Sequence, residues 1–508
     1  MSRLTVWLAL AGVTAVGLAV RAIPLAATDF PVNDGGLFVA MTRAVQDAGW
    51  ALPVTVEWNG SELPFIYPPL AFYKAGLLEA FFGLDIYGIF RWLPLTWSTL
   101  VVPAVFLLGR ELLRSEIGGL VAALAYALTP VSFVWLIQGG GVTRAPGMFL
   151  AAVTLWQLVI LVREPTLRRS VAVGVLAGIT TLVHPGAAVF TAISAILIWL
   201  FEGQLRSSAR AAGIAVGVAA LVVAPWALLV ISRHGLEAIL GVPSNGPAPA
   251  FAILAALAGR VTGTPVIDPL AITGLALAIL CVVRRRFLLP LWFAVSLFIS
   301  FQYAMIPFAI LIGLAAADLL NLRAARPIPR LRLAPTVGLA LLGLLLVLEG
   351  ALSATAMFNP QAPLHALTED RREAMAWVAS ELESDARVAV VTINGWSSDP
   401  DSEWFPLLAR RQSVATVQGS ELLGRAAFEE QVRAHAALQE CVIDASVACL
   451  RDWLTRWPAD VLYMPNGQLD GPTSPVDCCL EMRRLLAADD GFELIHESSG
   501  ATVFRVAP

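Results

Sequence analysis

The segment Ser170–Phe201 reads SVAVGVLAGITTLVHPGAAVFTAISAILIWLF, an uncharged run with Leu182-Val183-His184-Pro185-Gly186 near its centre. A hydrocarbon core is crossed by roughly 20 helical residues, so this run exceeds one span and falls short of two full-length ones. Arg168 and Arg169 precede it, and Arg206 and Arg210 follow it. Basic residues flanking spans stay on the cytoplasmic side, so a run with basic clusters at both ends crosses an even number of times. Proline removes a backbone donor and glycine loosens a turn, and two short helices meeting at His184-Pro185-Gly186 restore the parity. The alternative is one long tilted helix with a proline kink, which changes the side of everything downstream.

Outward from this run, apolar segments recur at 4–23, 86–108, 117–137, 142–162, 211–231, 268–283, 287–303, 304–320 and 335–357. Composition agrees, with 57% hydrophobic and 14% charged residues against roughly 25% charged in soluble proteins. Arg clusters at Arg3, Arg110 and Arg114, Arg163 to Arg169, Arg206 and Arg210, Arg284 to Arg286, and Arg323 to Arg332 mark the inner loops. Arg43, Lys74, Arg144, Arg233 and Arg260 fall in the sparser outer ones. The expected architecture is a mainly α, polytopic transmembrane bundle of about 11 crossings over residues 1–357, N-terminus inside, in the cell membrane. The first segment also has features of a cleaved signal peptide, with Ala26-Ala27 as a cleavage site, but a retained helix is simpler given the spans that follow. A net charge of −4, sorted along the chain, suggests no nucleic-acid partner. Lys74 is the single lysine, and the abundance of Arg and the brevity of the chain suggest a prokaryote.

Residues 364–508 form a different kind of chain, charged throughout, and read as a small extracytoplasmic α/β domain. A helix is expected over Arg371–Glu383, strands over Arg387–Ile393 and Val461–Met464, and a hairpin from Phe492–His496 and Ala501–Val506. Cys441, Cys449, Cys478 and Cys479 lie here, with three possible pairings. An outward location favours disulfides; a zinc site is the alternative, but adjacent Cys478-Cys479 is poor ligand spacing. The stretch Asp401-Ser402-Glu403-Trp404-Phe405-Pro406 combines acids and aromatics in a presumed loop, either as a sugar-binding surface or as core packing.

The candidate chemistry gathers in the first outer loop, residues 24–85. It carries Asp29 and Asn33-Asp34-Gly35-Gly36, then Tyr67-Pro68-Pro69-Leu70 and Lys74. Asp34 reads as the N-cap of a following helix or as a carboxylate that accepts a proton from a hydroxyl or binds a divalent cation. Tyr67 sits at a rigid turn in the interfacial aromatic belt. Arg144 follows Gly139-Gly140-Gly141, where backbone donors and a guanidinium meet at the outer end of a span; phosphate binding and snorkelling to headgroups are the two readings. Lys74 has the same two readings. His184 is a packing residue or, at the hairpin turn, a group aimed at a cavity.

An acidic first outer loop, Tyr-Pro-Pro-Leu before the second span, many spans and an outward soluble domain together resemble the GT-C superfamily of glycosyltransferases. The similar branch is that of protein mannosyltransferases and lipid A aminoarabinose transferases. The resemblance implies transfer of a sugar from a polyprenyl-phosphate carrier to an acceptor hydroxyl at the outer face, with inversion. Glycan, lipid and protein acceptors all satisfy the resemblance. By that resemblance Asp34 is the catalytic carboxylate and His184, at the hairpin turn, a donor-site residue. A phosphate donor also needs cations near the outer interface, where Arg144 and Lys74 lie, and Tyr67 is the remaining candidate substrate contact. Where many relatives carry Asp-Glu this chain has Asn33-Asp34-Gly35, so a two-carboxylate metal site is not reproduced; Asp29, five residues earlier, reads either as a second carboxylate or as a loop cap. Two rivals differ in class: a transporter or flippase of lipid-linked glycans, and a non-catalytic scaffold for the outer domain. The absence of an internal repeat and the clustering of polar residues at one face favour surface chemistry over passage.

Overall fold

The computed structural model describes residues 2–203, 205–242, 269–324, 333–358, 364–470, 475–477 and 479–507. Arg260, Arg326, Arg330, Arg332 and Cys478 lie outside them. Seven helices are long and apolar enough to cross a membrane: Arg3–Ala26, Ile86–Leu113, Gly141–Arg163, Pro185–Glu202, Ser207–His234, Phe301–Ala324 and Ala334–Phe358. Four shorter helices, Glu116–Leu128, Leu167–Val183, Pro269–Val283 and Leu288–Ile299, complete the body among the described residues. The expected crossings therefore correspond to apolar helices, but four of them are shorter than the roughly 20 residues a span needs alone. The segment expected at 117–137 shows why. Its helix stops at Leu128, and Pro130 opens a short 3-10 turn, Pro130–Ser132, because proline has no N–H for the preceding turn.

The break at His184 is present. The helix Leu167–Val183 ends and Pro185–Glu202 begins there, with His184 extended at φ −154° and Pro185 in the first turn, where its missing N–H costs nothing. Beyond it, Gly174 faces Ala215 and Val218, and Gly178 faces Ala219 and Val222. The matched order of these contacts means that Leu167–Val183 and Leu205–His234 run in the same direction, so Pro185–Glu202 returns between them. Small residues four apart allow that close approach. At the other end, Arg163 joins Glu111 at 3.1 Å and Glu202 at 2.6 Å, which gathers the ends of three helices on one side.

The body packs around Ile86–Leu113, Glu116–Leu128, Gly141–Arg163 and Phe301–Ala324, whose facing positions are fully buried. A charge lies within it that sequence reading passed over. Arg21, completely buried, donates to Ser98 Oγ (3.1 Å), Gly17 O (3.0 Å) and Ala127 O (2.8 Å) and lies 4.3 Å over the Phe133 ring. Its donors are satisfied by carbonyls and a hydroxyl, the form in which a guanidinium persists away from water.

The C-terminal domain carries a five-stranded sheet in the order Gln412–Ser413, Arg387–Val390, Val461–Pro465, Ala501–Val506, Phe492–Glu497. The first three strands are parallel and the last two add as an antiparallel hairpin. The presumed loop at Asp401 to Pro406 is instead a helix, Pro400–Leu408, with Asp401, Glu403, Trp404 and Phe405 all buried. Pro400 at its first position and Asp399 accepting from the Ser402 N–H start it. Burial removes these aromatics from any exposed sugar-binding surface.

The domain sits on the first loop. A hairpin of that loop, Thr55–Trp58 with Ser61–Pro64, donates from Trp58 Nε1 to Gln418 O (2.8 Å), while Asn59 exchanges hydrogen bonds with the Ser413 backbone (2.9 and 2.6 Å). Cys441 and Cys449 are bonded, and Cys281 is a free, buried thiol. The disulfide ties the end of Arg425–Ile443 to the start of Val447–Arg456 across a sequence separation of 8. Cys441→Ser is expected to lower the stability of this domain by about 2 kcal/mol, read by thermal denaturation of wild type and variant without reductant.

Candidate active site at the first loop

The site is assembled where two glycine-containing turns touch. In the first, Asn33 adopts a left-handed φ of 56° and Gly35 a φ of 137° that only glycine takes readily. In the second, Gly139-Gly140-Gly141 leads into Gly141–Arg163. The Gly139 N–H donates to Val32 O at 3.1 Å, and the Gly140 N–H donates to Asp34 Oδ1 at 2.8 Å. A Cβ at Gly139 collides with the Asp34 carbonyl, and one at Gly140 with the Asp34 carboxylate and the Arg144 guanidinium.

Arg144, one turn into the helix, ion-pairs through Nη2 with Asp34 Oδ2. The side chains retain only 14% and 24% exposure, so the pair is screened weakly and loss of either partner strands a charge. Arg144 lies 5.6 Å from the Trp135 ring centre, and its Nε and Nη1 make no hydrogen bond to the described residues. One edge of the guanidinium thus holds the carboxylate while the other retains donors. Beside it Tyr67 Oη meets Thr143 Oγ1 at 3.3 Å, and the Tyr67 ring packs at steep angles against Phe38, Phe72 and His184.

His184 packs over Gly147 of the same helix. Its Nδ1 accepts from the Ala187 N–H (3.1 Å) and lies 3.2 Å from Tyr303 Oη, so it caps the returning helix. Nε2 is left as the N–H. Lys74 sits 4.8 Å over the Trp97 ring. Asp29 is engaged elsewhere: Arg372 reaches both its oxygens, at 3.1 and 2.5 Å, and tethers the loop to the helix Glu369–Glu381. Among the described residues no group of three or more His, Cys, Asp or Glu is placed to hold a metal ion.

The local alternative for Asp34 was a cap on the next helix. That helix, Gly36–Asp47, has Gly35 at its N-cap position and no cap from its own chain segment. The acceptor comes from the C-terminal domain instead. Glu403 Oε1 receives the Gly35 N–H (3.2 Å) and the Leu37 N–H (3.5 Å), and Trp404 Nε1 donates to Asn33 O (2.8 Å). The sequence leaves this stretch open between a sugar-binding surface and core packing, and a separation of over 360 residues carries no local signal of the contact with the first loop. Burial, and then the neighbouring Asp34 charge, push the Glu403 carboxyl up to about 8.

Residues 67–229 match the family described as dolichyl-phosphate-mannose-protein mannosyltransferase. That stretch holds Tyr67, Lys74, Arg144 and His184 and begins after Asp34. No curated protein sequence matches the chain. Among solved structures, the oligosaccharyltransferase AglB of Archaeoglobus fulgidus is similar in two complexes. With a tethered acceptor peptide, the TM-score is 0.60 at 11% identity, covering 91% of this chain and 69% of that one. With an inhibitory peptide and a dolichol-phosphate, it is 0.57 at 12% identity, covering 90% and 69%. ArnT from Cupriavidus metallidurans in the apo state gives 0.52 at 16% identity over 99% and 98% of the two chains. The arabinofuranosyltransferase AftD from mycobacteria gives 0.53 at 17% identity, covering 100% of this chain and 40% of that one. The chain is a multi-pass membrane protein with the GT-C fold, similar to the mannosyltransferase and ArnT-like branch.

A carboxyl whose folded value is raised above its unfolded one, about 4.3, holds a proton in the docked state. Its contribution is complete below the unfolded value and declines as pH climbs to about 8. Thermal stability of the purified protein is therefore expected to fall between about pH 4 and about pH 8, and Glu403→Gln, neutral throughout, should flatten that part of the profile.

Proposed function

With the GT-C fold as premise, we propose that the chain is a glycosyltransferase. It moves a sugar from a polyprenyl-phosphate carrier to an acceptor hydroxyl at the outer membrane face, with the N-terminus cytoplasmic and the C-terminal domain outside. The observation that carries the reading is the convergence of one carboxylate, Asp34, and one guanidinium with spare donors, Arg144, on a glycine-built turn. Support for a lipid-phosphate donor comes from the family matched over residues 67–229 and from the dolichol-phosphate complex of the archaeal neighbour.

The chemistry follows from charge. A polyprenyl-phosphate sugar is a phosphodiester. When the acceptor oxygen attacks the anomeric carbon, the carbon–oxygen bond to phosphate breaks and its electron pair stays on the phosphate. The acceptor proton goes to Asp34, and polyprenyl phosphate departs with one more negative charge than it had in the donor. An Arg144 contact to that phosphate is stronger in the transition state than in the ground state, which is the condition for acceleration. In-line displacement places the base and the leaving phosphate on opposite sides of the sugar, so the directly paired arrangement opens as the donor enters. The phosphate takes over the guanidinium, and Asp34 is released toward the acceptor. The Nε2–H of His184 and the Thr143 and Tyr67 hydroxyls supply further donors beside it, and Lys74, held over the Trp97 ring, is the second cation that a phosphate entering the membrane body could use. Inversion follows from a single displacement.

Asp34→Asn should lower transfer of radiolabelled sugar from a lipid-linked donor by about 100-fold or more at unchanged protein level. Arg144→Ala should weaken donor use at limiting donor, and unchanged kinetics there assign it to headgroup contact alone. Movement of labelled carrier across proteoliposomes with no change in its covalent structure, insensitive to Asp34→Asn, is the result that contradicts the transferase reading.

A further inference from the structure

We propose that Glu403, carried by the C-terminal domain, is a positioning residue for the transfer: it fixes the backbone on either side of Asp34 and so sets where the carboxylate meets Arg144. The kinetic part of this inference rests on the transferase reading above; the structural part does not.

Three observations carry it. First, Glu403 Oε1 takes the N–H groups of Gly35 and Leu37, the two that flank the start of Gly36–Asp47, and no residue of the first loop caps that helix. Second, the contact continues through main chain and ring. A Cβ at Gly36 would stand 2.7 Å from the Glu403 carbonyl, and one at Gly35 would stand 3.1 Å from the Trp404 ring. Trp404 Nε1 holds the carbonyl of Asn33, so residues 33, 35 and 37 are all gripped from one helical turn of the other domain. Third, that turn is itself braced. Ser402 Oγ donates to Asp399 Oδ2 (2.6 Å), Arg371 Nη1 donates to Asp401 Oδ2 (3.0 Å), and Thr416 Oγ1 donates to Ser402 O (3.1 Å). The second carboxyl oxygen, Oε2, is buried and makes no hydrogen bond to the described residues. It is absent from the clamp, so the acceptor function of Oε1 is what the position requires, and an amide of the same length reproduces it. The turn that carries Asp34 runs through a left-handed Asn33 and a glycine, conformations that a free loop does not hold. Asn33 Nδ2 donates to Gln138 Oε1 (3.0 Å) and Ser397 O (3.1 Å), and to these the Glu403 clamp adds the only side-chain acceptor on the Gly35 and Leu37 N–H groups among the described residues.

The experiment compares Glu403→Ala, Glu403→Gln and Glu403→Asp in the full-length protein in nanodiscs. One readout is hydrogen–deuterium exchange of the amides at 33–38, and the other is kcat and donor KM. Glu403→Ala is expected to quicken exchange at Gly35 and Leu37 and to lower kcat about tenfold or more with little change in donor KM, because a displaced base slows chemistry more than binding. Glu403→Gln should restore both readouts. Glu403→Asp, one methylene short, should behave as Glu403→Ala does, and it replaces that variant if the alanine protein does not fold. Wild-type exchange in both the alanine and aspartate variants, or a glutamine variant as impaired as alanine, overturns the proposal. If the wild type transfers no sugar, the transferase reading fails on that result, and exchange alone still decides the role of Glu403.

Discussion

The close approach of two backbones, the Asn33-Asp34-Gly35 turn and the Gly139-Gly140-Gly141 turn, is the constraint on which the site depends. Only residues without a Cβ permit a Gly140 N–H to reach the Asp34 carboxylate while Arg144, on the following helix, reaches its other oxygen. A carboxylate held this way is oriented from two sides before any substrate arrives. Such preorganisation is the larger part of what a protein adds to a displacement whose bond-making and bond-breaking belong to the reactants.

The membrane body serves this arrangement by direction and by depth. Gly141–Arg163 delivers Thr143, Arg144 and Gly147 along one helix, and the break at His184 brings a polar turn against Gly147. The small-residue seam between Leu167–Val183 and Leu205–His234 holds the returning helix that this break requires. Charges buried elsewhere, such as Arg21, are absorbed by carbonyls and take no part in the site. Polar groups within the body thus fall into two kinds, those whose donors are consumed locally and those, as in Arg144, that keep donors available.

Much of this was legible in the chain. The apolar runs, the position of the Arg clusters and the proline at 185 follow from the cost of charges and broken hydrogen bonds in hydrocarbon, which local sequence displays directly. Asp34 stands out as an acid in a long first outer loop, and Arg144 as a cation at the outer interface, where basic residues are uncommon. Their pairing was not legible, since nothing in the spacing of 34 and 144 encodes which loops meet. The helix at Pro400–Leu408 was read as a loop because Asp399 and two prolines resemble turn punctuation; tertiary burial of Trp404 and Phe405 decided otherwise. Asp29 looked like a partner for Asp34 by proximity in sequence, but Arg372, supplied by the C-terminal domain, claims it. The short helices at Glu116–Leu128 and Leu288–Ile299 were drawn too long because hydropathy alone does not register where a helix stops.

The central claim is that the carboxylate and the phosphate-binding cation serve one reaction centre, and a structure determined with a polyprenyl phosphate bound tests it most directly. The account predicts a phosphate oxygen within roughly 3 Å of an Arg144 nitrogen, the Asp34 contact loosened, and the carboxylate facing the space where the sugar would sit. A phosphate seated on other cations, with Asp34 and Arg144 still locked together and shut off from it, contradicts the account.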